Sequence, residues 1–396
     1  MVELKIGLQG FGPNSEAMDL PDSREVAVAV LAQMLNDTTN SYKYLFMLSL
    51  LDSVQSSYRD DTEWSAFDMG TLAAGMLMHA WYPLTRFHLS FGLQDKVSEV
   101  LSSVLLAIGP EKFSFDRSGQ EKLRSRLLAV LQPDQVKQLT RYVPHRLIRP
   151  FFAQELRGVR DSEINARVAG LAREKFDDVR PLYRLEEGAL VLHPSWTAYL
   201  REHWAIVRGW ICWNWTQYLQ SRNPNIPAIP VKLFPPDRRS SLEAQWKFWK
   251  AAMGQGEWRC LYSGRLLEPE SIALDHFLPW SFVAHDRLWN LLPVSTSANS
   301  SKSDSIPHPS YVSGLCNLQA RALVAARPAY KESDWVKVIE PYVADLKVPL
   351  DLLDGAELEL ESLERSLSAQ CSLTIPSLIS LAEASGFQPG WLHGSL

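Results

Sequence analysis

A chain of 396 residues is too long for one ordinary hydrophobic core and predicts two or three domains, which 46% hydrophobic residues and fourteen Trp suffice to fill. No run of eighteen apolar residues offers a membrane span. A net charge of −5 and a pI near 6.0 exclude attraction of the whole surface to nucleic acid, so such a partner has to be met by locally gathered positive charge.

The opening Met1-Val-Glu-Leu-Lys-Ile lacks the apolar core of a secretory signal, giving the expectation of a soluble, cytoplasmic protein with no membrane partner. Residues 1–23, rich in Gly, read as an extended arm and loop. Their glycines carry no phosphate-binding fingerprint, because no strand-turn-helix unit surrounds them. Val26, Val28, Val30, Leu31, Met34 and Leu35 then recur at helical intervals, residues 44–54 repeat the signal, and residues 71–81 form a further helix. The segment 79–95 holds His79, His88 and Asp95 without ligand spacing, and is expected to serve packing or recognition.

Residues 120–180 read as three or more helices broken near Pro133, between Pro144 and Pro150, and at Gly158. Positive charge gathers here: residues 136–184 hold eleven Lys/Arg against six Asp/Glu. Arg146, Arg149 and Arg157, interleaved with Tyr142, Phe151 and Phe152, are candidate DNA-binding residues. The alternative is amphipathic helices whose arginines pair with Asp161, Glu163, Glu174, Asp177 and Asp178. Residues 182–193 suggest a β-hairpin turning at Glu186-Glu187-Gly188, and residues 196–219 a long apolar helix whose tryptophans belong to a core.

The prolines of residues 223–236 break any regular element and predict a linker over 223–240. The expected domains are a helical one over 1–222, a catalytic module over 241–306 and an acidic helical segment over 307–396. Within the last, residues 351–364 carry six acidic and no basic residues, read as a solvated helix face. Cys212, Cys260, Cys316 and Cys371 are widely spaced and expected to be reduced.

The module centres on Leu274-Asp275-His276-Phe277-Leu278-Pro279-Trp280, then Leu288-Trp289-Asn290-Leu291-Leu292-Pro293, then Ala298-Asn299-Ser300-Ser301-Lys302-Ser303-Asp304. Phosphodiester cleavage needs an activated water and a cation beside the leaving oxygen. His276 is the candidate general base. Asp275 and Asn299 offer the hard oxygen ligands that Mg²⁺ prefers. Asn290 is expected to hold the intervening loop and the His276 ring. Lys302, three residues after Asn299 and so on the same helical face, is expected to meet a phosphate.

This pattern resembles the HNH (ββα-metal) endonuclease family. The wording Asp-His-x-x-Pro-x-Ser-Phe followed by Asn-x-x-Lys-Ser-Asp is especially similar to the HNH domain of RNA-guided CRISPR effector nucleases. The resemblance implies His276 as general base, Asp275 and Asn299 as Mg²⁺ ligands (Mn²⁺ being an alternative) and Asn290 as support of the active-site loop. Many family members carry two Cys-x-x-Cys knuckles for a structural zinc. Here those positions read Cys260, Ser263, Ser295 and Ala298, too few ligands for a closed zinc site, so no structural zinc is expected. Packing by Trp258, Leu261, Tyr262, Leu274 and Leu292 is expected in its place.

The fold class expected is mainly α with a small α+β module. The function expected is a Mg²⁺-dependent HNH DNA endonuclease or nickase, by analogy of layout serving restriction or anti-phage defence, with DNA and other subunits of such a system as partners. A non-catalytic DNA-binding subunit and an RNase are the alternatives.

Overall fold

The computed structural model describes residues 20–36, 38–59, 66–111, 113–114, 116–235, 241–268 and 271–394. The expected amino-terminal arm lies outside the described residues up to residue 19. Helices dominate, and the described strands form only two small sheets, so the protein is mainly α with a small α+β module. No helix among the described residues is long and apolar enough to cross a membrane. The chain divides into two compact units, residues 1–84 with 90–222 and residues 85–89 with 223–396.

In the first unit the helix Tyr42–Arg59 supplies the centre, with Leu45, Phe46, Leu48, Leu50 and Val54 fully buried against Pro194–Glu202 and Trp204–Arg222. The sequence pattern joins those last two helices into one. The chain instead turns at His203, a break that periodicity misses because apolar residues continue on both sides. Trp196 and Trp215 are in the core, whereas Trp213 is 48% exposed. The proline and glycine breaks separate Arg117–Val130, Pro133–Thr140, Val143–Ile148 and Asp161–Glu174, with Gly158 at φ 77°.

The sheet of this unit comprises β1 (Ala66–Asp68), β2 (Tyr183–Glu186) and β3 (Ala189–Leu192), antiparallel in the order β1-β3-β2. Glu186 faces Ala189, so Glu187 and Gly188 make the turn, and Gly188 takes a φ of 74° that a side chain would oppose. In the 79–95 segment His79 pairs with Asp52 at 2.9 Å, and Asp95 accepts from the Ser41 and Val97 amides. Those are packing and capping roles.

The second unit is built on one core that runs from the helix Glu243–Met253 to the carboxyl-terminal helix Leu360–Ala384. Strands β4 (Ile272–His276) and β5 (Leu291–Ser295) pair antiparallel, Asp275 facing Leu292 and His276 facing Leu291, and the helix Thr296–Lys302 closes the ββα unit. Two strands and two helical turns bury too little apolar surface to stand alone. The helices Tyr311–Ala326, Glu332–Ala344 and Leu360–Ala384 supply the remainder, so the segment that the sequence set apart from residue 307 shares the core of the ββα unit. Leu363, Leu367, Cys371, Ile375 and Ile379 form its inward stripe, four residues apart, while Glu359 and Glu361 remain exposed and Glu364 is half-buried.

The stretch expected to be a linker is packed as far as it is described: Ile226, Ile229 and Leu233 are buried around a short 3₁₀ turn, Ile229–Lys232. Proline removes regular hydrogen bonding without preventing the apolar residues between prolines from being buried. Lys232 follows them inside, with no exposed surface. Its ammonium donates to the Phe282 carbonyl and lies 5.5 and 5.6 Å from the ring centroids of Phe87 and Phe282. Burial pushes Lys232 down to about 7.

Above about pH 7 the folded chain therefore releases a proton that the unfolded chain keeps until near pH 10. Stability attributable to Lys232 rises with pH through that window, by up to about 1.4 kcal/mol per pH unit. Urea unfolding of the full chain and of Lys232→Met between pH 6 and 10 is expected to show the variant more stable at low pH and the difference shrinking as pH rises. Parallel curves would show that the ammonium stays charged in the fold.

Candidate active site

β4 delivers Asp275 and His276 side by side at its end, and the strand's alternation sends them to opposite faces. Asp275 turns inward and is 4% exposed. Its Oδ2 accepts from the Tyr262 hydroxyl at 2.7 Å and its Oδ1 from Lys302 Nζ at 3.1 Å. Burial pushes the carboxyl above its usual range, outweighing the opposing pull of Lys302, Tyr262 and His276. Lys302 is itself 1% exposed, and its ammonium donates a second bond, 2.7 Å long, to the His276 carbonyl.

Lys302 therefore does not play the part read from the sequence. A phosphate contact needs an ammonium at the surface, and this one is spent beneath the site on Asp275. The spacing rule is kept nonetheless: Asn299 and Lys302 share a face of Thr296–Lys302, whose start is capped by the Ser295 hydroxyl accepting from the Ala298 amide. Asn299 is half-buried, and its carboxamide makes no hydrogen bond among the described residues.

His276 is 18% exposed at the side chain, and its Nε2 lies 2.8 Å from Asp286 Oδ1. The ring is thus held by Asp286 rather than by Asn290, as the sequence had suggested. Asn290, with no exposed surface, acts on the loop backbone: its Oδ1 accepts from the Leu278 amide, its Nδ2 donates to the Leu278 carbonyl, and its own carbonyl accepts from the Phe277 amide. Three bonds from one residue fix the chain directly after His276. Asp286 is fixed in turn where Gln245 Nε2 donates to its carbonyl at 3.0 Å. The neighbouring His285 is pushed down to about 4 by burial, so it is neutral near pH 7 and carries no proton there.

Three residues that the motif does not contain hold this arrangement in place. Gln319, buried on Tyr311–Ala326, donates to the carbonyls of Leu288, Trp289 and Leu291 and accepts from the Tyr342 hydroxyl. Tyr262 is packed edge-on against Tyr311 and Trp391, with centroids 5.1 and 5.0 Å away. Trp391 is placed by backbone bonds with Ile306 and His308. A buried amide or tyrosine inside an apolar run gives a signal for a core, and nothing in the sequence says which backbone it will meet.

Of the four knuckle positions, Ser263 and Ser295 meet Cys260 through hydrogen bonds. The buried Cys260 thiol is pushed up by desolvation but brought below its usual range on balance by hydrogen bonds from the Ser263 hydroxyl and from the backbone of Ser295, Ser263 and Tyr262. Ala298 is fully buried. Trp258, Tyr262 and Leu292 are core residues, with Leu261 and Leu274 packed against them. A Cβ on Gly314 would come within 2.6 Å of Leu261 Cδ1, so glycine lets the helix Tyr311–Ala326 close on this loop. No group of three His, Cys, Asp or Glu suited to a metal occurs among the described residues.

The donors near β4 fit a hard divalent cation in kind, since Mg²⁺ is commonly held by one or two protein oxygens together with water and phosphate. Asp275 and Asn299 are such a pair. Lys302 already balances the Asp275 charge, so a cation has to share that carboxylate with the ammonium or displace it.

The candidate DNA-binding arginines lie in the first unit. Arg146 pairs with Asp161 at 2.8 Å and donates to Asn165, as in the ion-pair alternative, whereas Arg149 and Arg157 are exposed. Phe151 and Phe152 are buried and unavailable for stacking, and Tyr142 is 52% exposed.

The geometry is that of a ββα nuclease unit, and a model of the HNH endonuclease family matches residues 260–308. The stretch is an HNH endonuclease domain. Such domains are nuclease units that act on nucleic acid and typically use a divalent metal. No curated protein and no solved structure matches the chain.

The buried pair makes a strong demand on the fold. Removing one partner of a buried ion pair typically costs about 3–5 kcal/mol. Lys302→Met is expected to destabilise the protein by about that much in urea unfolding. Asp275→Asn added to Lys302→Met is expected to recover part of the loss, because the carboxylate that would be stranded is gone. A loss under about 1 kcal/mol for Lys302→Met would mean that water already reaches the pair.

Proposed function

We propose that the protein is an endonuclease that hydrolyses phosphodiester bonds in DNA, with His276 as general base and Asp286 as the residue that positions it. The observation that carries this reading is the His276–Asp286 contact at the open end of β4, inside the HNH domain. With Asp286 accepting, the ring proton resides on Nε2, and Nδ1 is left as the acceptor for a proton from the attacking water. Asn290 keeps the loop after His276 from moving, so the ring meets the water at one angle. A divalent cation, taken here as Mg²⁺ and held by Asp275 and Asn299, would neutralise charge on the scissile phosphate and the leaving 3′ oxygen. Tyr262 and Lys302 fix the direction of the Asp275 carboxylate.

One ββα unit accommodates one scissile phosphate, so a monomer is expected to nick. A role in restriction or anti-phage defence, with partner subunits, is the setting in which we place such an enzyme, by analogy of domain layout. One observation favours a second reading, a nucleic-acid-binding module that does not cut: the Asp275 carboxylate proposed to hold the metal is paired with Lys302.

Supercoiled plasmid incubated with the protein and Mg²⁺ decides between them, with an RNA of matched length in parallel. Nicked circles are expected before linear product. His276→Ala is expected to lower the rate by about 10²–10⁴, the usual contribution of a positioned base, and Asp286→Ala to lower kcat with little change in KM. An inert parental protein that still binds plasmid would establish the non-cutting reading, and cleavage confined to the RNA would make it an RNase.

A further inference from the structure

The first unit contains an open cleft of about 1460 Å³, larger than the roughly 300–1,000 Å³ of an ordinary small-molecule site. Among the described residues, seven Lys or Arg side chains and two Asp line it, with no Glu. The charge is local, in a chain whose net charge is −5. Three of the cations are engaged: Lys43 donates to the Met34 carbonyl, Lys96 pairs with Glu99, and Arg146 pairs with Asp161. Lys137, Arg141, Arg149 and Arg157 are exposed and make no ion pair within 4.0 Å among the described residues, although Arg149 lies near enough to Asp161 to help hold its carboxyl low.

The rest of the lining is neutral and suited to bases. Gln33, Asn36, Asn40, Gln94 and Gln138 put carboxamides on the wall, each able to donate and to accept. Tyr142 presents a half-exposed ring, with the Arg141 guanidinium 5.0 Å from its centroid. One wall comes from the helix Pro133–Thr140, the short helix Val143–Ile148 and the turn Arg149–Phe152, whose Leu147, Ile148 and Phe152 are buried, and the rest from residues 33–43, 94–96 and 153–161.

We infer that this cleft binds a single strand of nucleic acid. Unpaired cations meet the phosphates, Tyr142 offers a face on which a base stacks, and the carboxamides reach base edges that are exposed only when the base is unpaired. A duplex hides its base faces and would leave the ring and most of the amides without partners. A lone nucleotide would leave most of the volume and charge unused. The inference rests on the reading of the protein as one that acts on nucleic acid, and assigns strand capture to a site outside the HNH domain.

The test uses the full-length His276→Ala protein, so that binding is read without cleavage. Anisotropy of a labelled single-stranded oligonucleotide of about 12 nucleotides, a length within the usual range for one groove, is followed across a salt series. The same sequence as a duplex and a mononucleotide serve as competitors. The single strand is expected to bind tighter than the duplex. The combined variant Lys137→Glu, Arg141→Glu, Arg149→Glu is expected to flatten the slope of log affinity against log salt by about 2, at about 0.7 for each lost contact. Tyr142→Ala is expected to weaken binding roughly 5- to 150-fold with the slope little changed. Arg173→Glu, outside the lining, is the charge control, and melting curves verify that every variant folds.

Parental affinity and slope in both the triple and the Tyr142 variants would overturn the assignment. So would preferential binding of the duplex, or full competition by the mononucleotide at matched nucleotide concentration. Plasmid nicking by the unmutated protein is scored separately: its absence beside intact strand binding refutes the nuclease reading and leaves the cleft assigned.

Discussion

The structure of the ββα unit depends on a charge placed where charges are costly. Lys302 and Asp275 are both nearly inaccessible to water, and their contact, completed by the Tyr262 hydroxyl and the His276 carbonyl, joins the last turn of the helix Thr296–Lys302 to the end of β4. A buried pair of this kind contributes little over a hydrophobic contact of the same volume, but breaking it is expensive. It therefore specifies rather than stabilises: β4 and the helix have one relative placement in which neither charge is stranded. That placement sets Asp275 and Asn299 on neighbouring elements.

Specification at this point has to be matched by apolar burial elsewhere. The ββα unit is small, and the three helices after residue 307 complete its core. They also reach the site by hydrogen bonds. Gln319 gathers three carbonyls around Asn290, Trp289 Nε1 donates to Asp345, and Trp391 packs on the tyrosine that touches Asp275. A perturbation at the carboxyl end is thus two contacts away from the candidate metal carboxylate. Where related domains use zinc to tie the loops together, the corresponding positions here are Cys260, two serines and an alanine, with apolar packing from Leu261, Tyr262 and Gly314 around them.

The same carboxylate serves structure and, in the proposed reaction, chemistry. Its raised affinity for protons, caused first by burial, and its contact with an ammonium both oppose a bound dication. Water, substrate phosphate or movement of Lys302 has to change that balance before the site works. His276 carries no such conflict, since Asp286 engages only Nε2 of its ring.

Much of this was legible in the residues. Helical spacing placed many of the helices, and turn residues between apolar runs placed the hairpin of β2 and β3, because local periodicity is set by which face is buried. The motif located His276, Asp275, Asn290 and Asn299 on one small unit. Strand β1 was missed because three residues carry no period, and the turn at His203 because apolar residues run through it. The sequence by itself determined which motif side chains lie on this unit, since their types and order fix what chemistry those positions can offer, but it did not reveal Asp286, Tyr262 or Gln319 beside them. Only the tertiary structure decided their states: Lys302 buried rather than exposed, Asp286 rather than Asn290 on the histidine ring, Arg146 paired while Arg149 and Arg157 face a cleft. The physical reason is that desolvation and partner choice depend on atoms brought together from distant parts of the chain, and no local pattern encodes which of two equally polar neighbours a charge will meet.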